Sequence, residues 1–138
     1  NESLALGSNS DRIKSKIRMK VIGIVGSRRR NTLADRKVIE DKFLEVCDKS
    51  VDEIVSGGCP TGADRFAEML AIKYQVPIKI YYAAWNRLGK GAGMARNWDI
   101  ALDADILIAC VALDRTGGTE DTIKKFLKHK DEKNLYLV

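Results

Sequence analysis

Five short runs rich in Val and Ile, spaced about 25 to 30 residues apart, limit what this chain can fold into more than any other feature. They are KVIGIVG (20–26), DEIVSGG (52–58), PIKIYYAAW (77–85), DILIACVAL (105–113) and NLYLV (134–138). Their length and β-branched content predict strands. Four are largely continuous in apolar character, which suits parallel strands covered on both faces. Between them, helical periodicity predicts helices over 34–49, with Val38, Phe43, Leu44 and Cys47 as apolar positions, and over 62–74, 92–102 and 120–130. This β-α-β-α alternation implies a parallel sheet with right-handed crossovers and helices on its faces.

A chain of 138 residues, 45% hydrophobic, holds one domain with a real core. Residues 1–18, NESLALGSNSDRIKSKIR, lack the continuous apolar stretch of a secretory signal and are expected to form a flexible basic tail ahead of a single domain at 19–138. The longest apolar run, 105–113, is far short of the roughly 20 residues of a membrane span. Much of the net charge of +5 comes from Arg12, Lys14, Lys16, Arg18 and Lys20, so the domain itself reads as mildly basic, with solvated surface favoured over general polyanion binding. Cys47, Cys59 and Cys110 are odd in number and widely spaced, which argues against a disulfide framework and for a reducing, cytoplasmic setting. No metal-binding cluster is spelled out. The single histidine, His129, falls on a Lys-rich helix and is expected to face solvent, and a Mg ion would come only with the phosphates of a ligand.

Parallel sheets bind ligands outside the carboxyl ends of their strands, so the loops after the strands carry the functional expectation. The first, Gly26-Ser27-Arg28, offers a sharp turn, a hydroxyl and a guanidinium matched to phosphate oxygens; Arg29 and Arg30 read as a solvated turn. The second, VSGGCPTGAD, sets Gly57, Gly58 and Gly62 ahead of a helix whose first turn carries Asp64, a residue suited to a first-turn acid or to ligand contact. The spacing fits neither the P-loop nor the GxGxxG dinucleotide pattern. The third loop leads from Trp85, at a strand end where a base would stack, to Arg96 and Asn97; Trp98 is a second stacking candidate, and core packing is the commoner fate of either indole in so small a domain. The fourth, Gly117-Gly118-Thr119, precedes a helix that Thr119 would either cap or leave free to bind phosphate.

One helix terminus contributes about 0.3–1 kcal/mol toward an anion, whereas micromolar binding requires about 8 kcal/mol. Arg28 or Arg96, backbone N–H groups and base stacking at about 1–3 kcal/mol close that gap. The inventory therefore suits a nucleotide-like ligand better than free phosphate.

Taken in order, Gly26-Ser27-Arg28, Gly57-Gly58 with Gly62-Ala63-Asp64, Gly93-Met94-Ala95-Arg96-Asn97 with Asp103-Ala104-Asp105, and Gly118-Thr119 resemble the SLOG superfamily, which includes the SMF/DprA proteins and the LOG enzymes. The similarity spans about residues 20–130 and is greatest to the YspA-related branch. It implies a Rossmann-like three-layer α/β/α sandwich with a mainly parallel five-stranded sheet, a nucleotide or nucleotide-derived ligand, and a tendency to form homodimers or higher oligomers, with the helix after Gly93 available for self-association. LOG enzymes cleave the N-glycosidic bond of nucleoside 5′-monophosphates with an arginine, an aspartate nine residues later and a Gly-Gly-x-Gly-Thr-x-x-Glu loop. Arg96 and Asp105 match the first part. At the acid position stands Thr122, with Asp121 adjacent, and one residue on a helix is a rotation of about 100°.

Three readings follow. A nucleotide-binding sensor or processing module is preferred. A LOG-like hydrolase comes next, with Arg96 and Asp121 as candidate catalytic residues and Asp64 or Glu120 as other carboxylates. A DprA-like module for single-stranded nucleic acid stands third.

Overall fold

The computed structural model describes residues 19–138, so the predicted basic tail lies outside the described residues. The five Val/Ile runs form five strands: β1 (Val21–Gly26), β2 (Glu53–Gly57), β3 (Ile78–Tyr81), β4 (Ile106–Cys110) and β5 (Leu135–Leu137). All pair in parallel, in the order β3-β2-β1-β4-β5. The helices are α1 (Leu33–Val46), α2 (Ala63–Tyr74), the single turn α3 (Trp85–Leu88), α4 (Ala92–Asp103) and α5 (Gly118–His129), with 3₁₀ turns at Gly89–Gly91 and Glu132–Asn134. This is a three-layer α/β/α sandwich of Rossmann-like form.

The period-2 alternation of each strand divides the core between the faces. Ile22, Ile24, Ile54 and Ile108 meet Ile39 and Phe43 of α1 and Phe66 and Leu70 of α2. Val21, Val25, Val55 and Leu107 meet Ile100 of α4 and Ile123 and Phe126 of α5. Helices after β1 and β2 thus cover one face, and those after β3 and β4 cover the other. The chain reverses its winding between β1 and β4, and a crevice opens outside their carboxyl ends.

Several boundaries differ from expectation. The run at 77–85 leaves the sheet after Tyr81, because Tyr81 pairs with Gly57, the last residue of β2, and nothing beyond offers a ladder partner. Trp85 therefore starts α3 instead of ending β3. Likewise β4 ends at Cys110, opposite Gly26, and Leu113 is fully exposed. Helix α1 begins at a capping box in which Thr32 Oγ1 accepts from Asp35 N and Asp35 Oδ2 accepts from Thr32 N, each at 3.1 Å. It buries Ile39 and Phe43, while Val38 and Leu44 stay exposed, and it stops at Val46 instead of 49.

At the amino edge of the sheet, two acids tie strand starts together. Asp52 accepts from the N–H groups of Lys20 and Asp48, both at 2.8 Å, and pairs with Lys20 Nζ at 2.9 Å. Asp105 accepts from Val21 N at 2.9 Å. Asp105 therefore stands at the edge opposite the crevice, where it braces β1 against β4.

Candidate functional site

The crevice is a cleft of about 970 Å³, at the upper end of the usual range for small-molecule sites. Gly26, Ser27, Arg28, Gly58, Asp64, Trp85, Arg96, Asn97, Gly117, Gly118, Thr119 and Asp121 all line it. Gly57 and Gly62, expected beside a ligand, are not among its walls.

In the β1 loop, Ser27 N donates to Cys110 O at 2.9 Å, and Ser27 Oγ accepts from Arg29 N at 3.1 Å, which leaves the hydroxyl proton for another acceptor. Arg28 is exposed on the cleft wall and makes no side-chain hydrogen bond or ion pair among the described residues. Of its two neighbours, expected to form a solvated turn, Arg29 is exposed as expected and Arg30 is not, and both are paired. Arg29 forks onto Asp114 at 2.9 and 3.0 Å and reaches Thr116 Oγ1 at 2.8 Å, joining the β1 and β4 loops. Arg29 and Thr116 together bring the Asp114 carboxyl down to about 2. Arg30 is half-buried and donates to Asp35 at 2.9 Å and Val111 O at 3.0 Å.

The β2 loop is filled from within. A methyl group at Gly57 would lie 2.5 Å from Arg96 Nη1 and 2.7 Å from Asp64 Oδ2, so the bare backbone lets those two side chains face each other. At Gly58 it would meet the ring of Tyr82 at 2.3 Å. Gly62 has φ +76°, its N–H donates to Asn31 Oδ1 at 2.7 Å, and a methyl there would stand 3.0 Å from Ser27 O. Glycine is required by that left-handed backbone and by the contact with the β1 loop.

Asp64 is 9% exposed and does not cap its helix, whose cap residue is Gly62 without a side-chain bond. Its Oδ2 accepts from Cys59 N at 3.1 Å, which braces the loop. Ser56 Oγ stands 2.5 Å from Ile24 O and 3.1 Å from Asp64 Oδ1. A hydroxyl has one proton, and a carbonyl can only accept it. That one proton is shared between the two acceptors, and burial pushes Asp64 above the ordinary aspartate range against the pull of Cys59 N–H, Ser56 and the Arg96 guanidinium.

Across the cleft, Arg96 Nε donates to Asn97 Oδ1 at 3.3 Å, and Arg96 forms no ion pair among the described residues. Asn97 is buried, and its Nδ2 donates to Asp121 Oδ2 at 3.0 Å and to Gly118 O at 3.3 Å. Lys125 Nζ grips both oxygens of Asp121 at 2.6 and 2.5 Å. Burial opposes the charge on Asp121, but Lys125 and Asn97 outweigh it and hold the carboxyl below its usual range. Glu120 turns away to a paired contact with Arg115 at 2.7 and 2.9 Å. Thr122 is 1% exposed and its hydroxyl donates back to Gly118 O at 3.3 Å.

The cap of α5 is Gly117, at φ +107° and without a side-chain bond, so Thr119 is not a cap. A methyl at Gly117 would meet nothing within 4 Å, and one at Gly118 only Asn97 Nδ2 at 3.9 Å. The backbone of Gly117 and Gly118 at the start of α5 therefore borders open cleft, while Glu120 N donates to Gly117 O at 3.2 Å.

Trp85 is 59% exposed on the cleft wall. Trp98 is not: it lies against α5, with its ring 5.9 Å from His129 and under Lys125 and Lys128 at 5.2 and 5.4 Å. Of the two roles open to Trp98, packing and stacking, it takes packing. His129 is exposed apart from that contact. The walls also include Tyr82, Met94, Arg29 and Thr116, which were not expected as ligand contacts. Tyr82 was hidden inside a run read as strand.

Among the described residues no group of three or more His, Cys, Asp or Glu is placed to hold a metal ion, and no helix is long and apolar enough to cross a membrane. The three cysteines are free; burial pushes the Cys47 and Cys110 thiols up to about 11. No family model matches this sequence, and neither a curated protein nor a solved structure matches it.

Proposed function

We propose that the cleft binds a nucleotide or nucleotide-derived ligand and that the protein works as a sensor or processing module of the SLOG kind. The observation that carries this reading is the convergence of two guanidinium groups that form no ion pair among the described residues, Arg28 and Arg96, with the open glycine terminus of α5 in one cleft. A phosphate group fits that charge, and the exposed rings of Trp85 and Tyr82 give a base an apolar surface. Two charge-assisted contacts at about 1.5–3 kcal/mol each, a stacked base at about 1–3 kcal/mol and a helix terminus at about 0.3–1 kcal/mol bracket the 8 kcal/mol or so of micromolar affinity.

Calorimetric titration with AMP, GMP, CMP and UMP tests the reading. At least one should bind in the micromolar range, and Arg96→Ala should weaken that binding tenfold or more. Absence of binding for all four would remove nucleoside monophosphates as ligands.

A second reading, a hydrolase acting on the N-glycosidic bond of a nucleoside 5′-monophosphate, is favoured by the two acids of the cleft. Asp64 is biased toward its protonated form and Asp121 toward its ionised form, a division that supplies a proton donor for a departing base and a negative charge for a sugar cation. Release of free base from a bound monophosphate, and its loss in Asp64→Asn, distinguishes this reading from simple binding.

A further inference from the structure

Arg96 and Asn97 are consecutive residues on α4, and consecutive helical side chains point about 100° apart. Their contact at 3.3 Å therefore needs something to hold both in place. Asn97 is fixed by its acceptors. Gly118 O and the ionised Asp121 can only accept, so the amide NH₂ must face α5 and the amide oxygen must face Arg96. Asp121 is fixed in turn by Lys125, whose side chain is only 6% exposed and which has no place on the cleft wall. The chain of donors and acceptors runs from a buried ammonium to the guanidinium in the cleft. It occupies Nε of Arg96, with Nη1 lying over Gly57, and leaves Nη1 and Nη2 without a hydrogen bond among the described residues, a fork suited to two oxygens of one anionic group.

We propose that Lys125 is a positioning residue of the cleft: acting through Asp121 and Asn97, it aims the terminal nitrogens of Arg96 at the phosphate of the ligand. This rests on the anion-binding reading of the cleft, but the orientation of Arg96 is measurable without any ligand. It also gives Asp121 a duty other than touching the reacting atoms.

The test combines arginine side-chain NMR with AMP titration on the full chain. The Arg96 Nε–Hε proton should exchange with water much more slowly than that of the unpartnered Arg28. In Lys125→Met this protection should vanish and AMP affinity should fall about tenfold, the scale of one charge-assisted contact. Lys125→Arg should restore both. In an Arg96→Ala background, Lys125→Met should cause no further loss of affinity, a result that general loosening of α5 would not give. An Arg96 signal as labile as that of Arg28 in the unsubstituted protein overturns the proposal without any variant, so a misfolded Lys125→Met leaves it open to refutation. Retained protection in a folded Lys125→Met overturns it as well. If the unsubstituted protein shows the protected signal but binds none of AMP, GMP, CMP or UMP, the aiming stands and the nucleoside monophosphate reading falls.

Discussion

The junction from β2 into α2 and the junction from β4 into α5 have the same ingredients and use them in opposite ways. Each ends in a glycine with positive φ that serves as an uncapped helix start, and each carries an inward acid in the first turn, Asp64 or Asp121. In the β2 junction the space left by the glycines is taken by the protein's own groups: Arg96 and Asp64 at Gly57, Tyr82 at Gly58 and the β1 loop at Gly62. In the β4 junction the space at Gly117 is empty and that at Gly118 nearly so. The acids divide in the same sense. Asp64 is buried and forms no ion pair among the described residues, though Arg96 lies near, and Asp121 is held by Lys125. Removing a side chain from a strand-to-helix loop thus serves packing in one case and access in the other. The β2 junction shapes the floor, and the β4 junction offers the open backbone.

The acids give the largest expected effect. Asp121→Asn leaves the ammonium of Lys125 buried with a neutral neighbour, and loss of one member of a buried pair costs about 3 kcal/mol. Denaturant unfolding near neutral pH should show that loss. Because Asp121 titrates below its usual range when folded, the stabilisation is present above the ordinary aspartate pKa of about 3.9 and fades as pH falls through the lower folded value. The corresponding change in the other junction has the opposite sign. Asp64→Asn keeps the shape and the contacts of the protonated acid, so it should match the parent protein in acid. As pH rises above about 3.9 toward the raised folded value, the parent loses stability that the variant keeps. Melting temperatures of both proteins from pH 3 to 8 would show a gap that widens with pH; a gap of the same size throughout would mean that Asp64 is ionised in the fold as in the unfolded chain.

Gly57→Ala comes next. Its methyl would press on Arg96 Nη1 and on the short, anchored Asp64 side chain, and overpacking of this kind costs about 1–3 kcal/mol. The guanidinium must also retreat from the floor. Stability and AMP affinity should therefore fall together in this variant.

The sheet and its loops were legible because strand length, apolar continuity and alternation with helical periods are local signals. Which glycine pair faces open space was not, since Gly57-Gly58 and Gly117-Gly118 are alike in sequence and two of the groups that fill the first pair, Arg96 and Tyr82, come from tens of residues away. Whether Trp98 packs or stacks was left open because its role depends on the rotation of α4 against α5, which periodicity leaves ambiguous for an aromatic at the edge of the apolar face. Tyr82 was lost because the end of β3 depends on where β2 ends. The Asp121–Lys125 pair did leave a trace: an acid four residues before a lysine is the spacing that brings side chains together on a helix. The resembling motif, by contrast, compares Asp121 with an acid one position later and carries no information about Lys125.

The smallest effect on stability gives the most direct contrast between the junctions. Gly118→Ala adds a methyl in the first turn of α5, where the only neighbour is Asn97 Nδ2 at 3.9 Å. Alanine is the better helix former by up to about 1 kcal/mol in a helix interior and by less at an end, so stability should hold or rise by a few tenths of a kcal/mol. The same methyl stands over the N–H groups on which an anion would rest, so AMP affinity should fall. Gly57→Ala is expected to lose stability and binding together, whereas Gly118→Ala is expected to lose binding alone. If Gly118→Ala binds AMP as the parent does, the open end of α5 is not where the phosphate sits, and Arg28 with Ser27 becomes the better anchor.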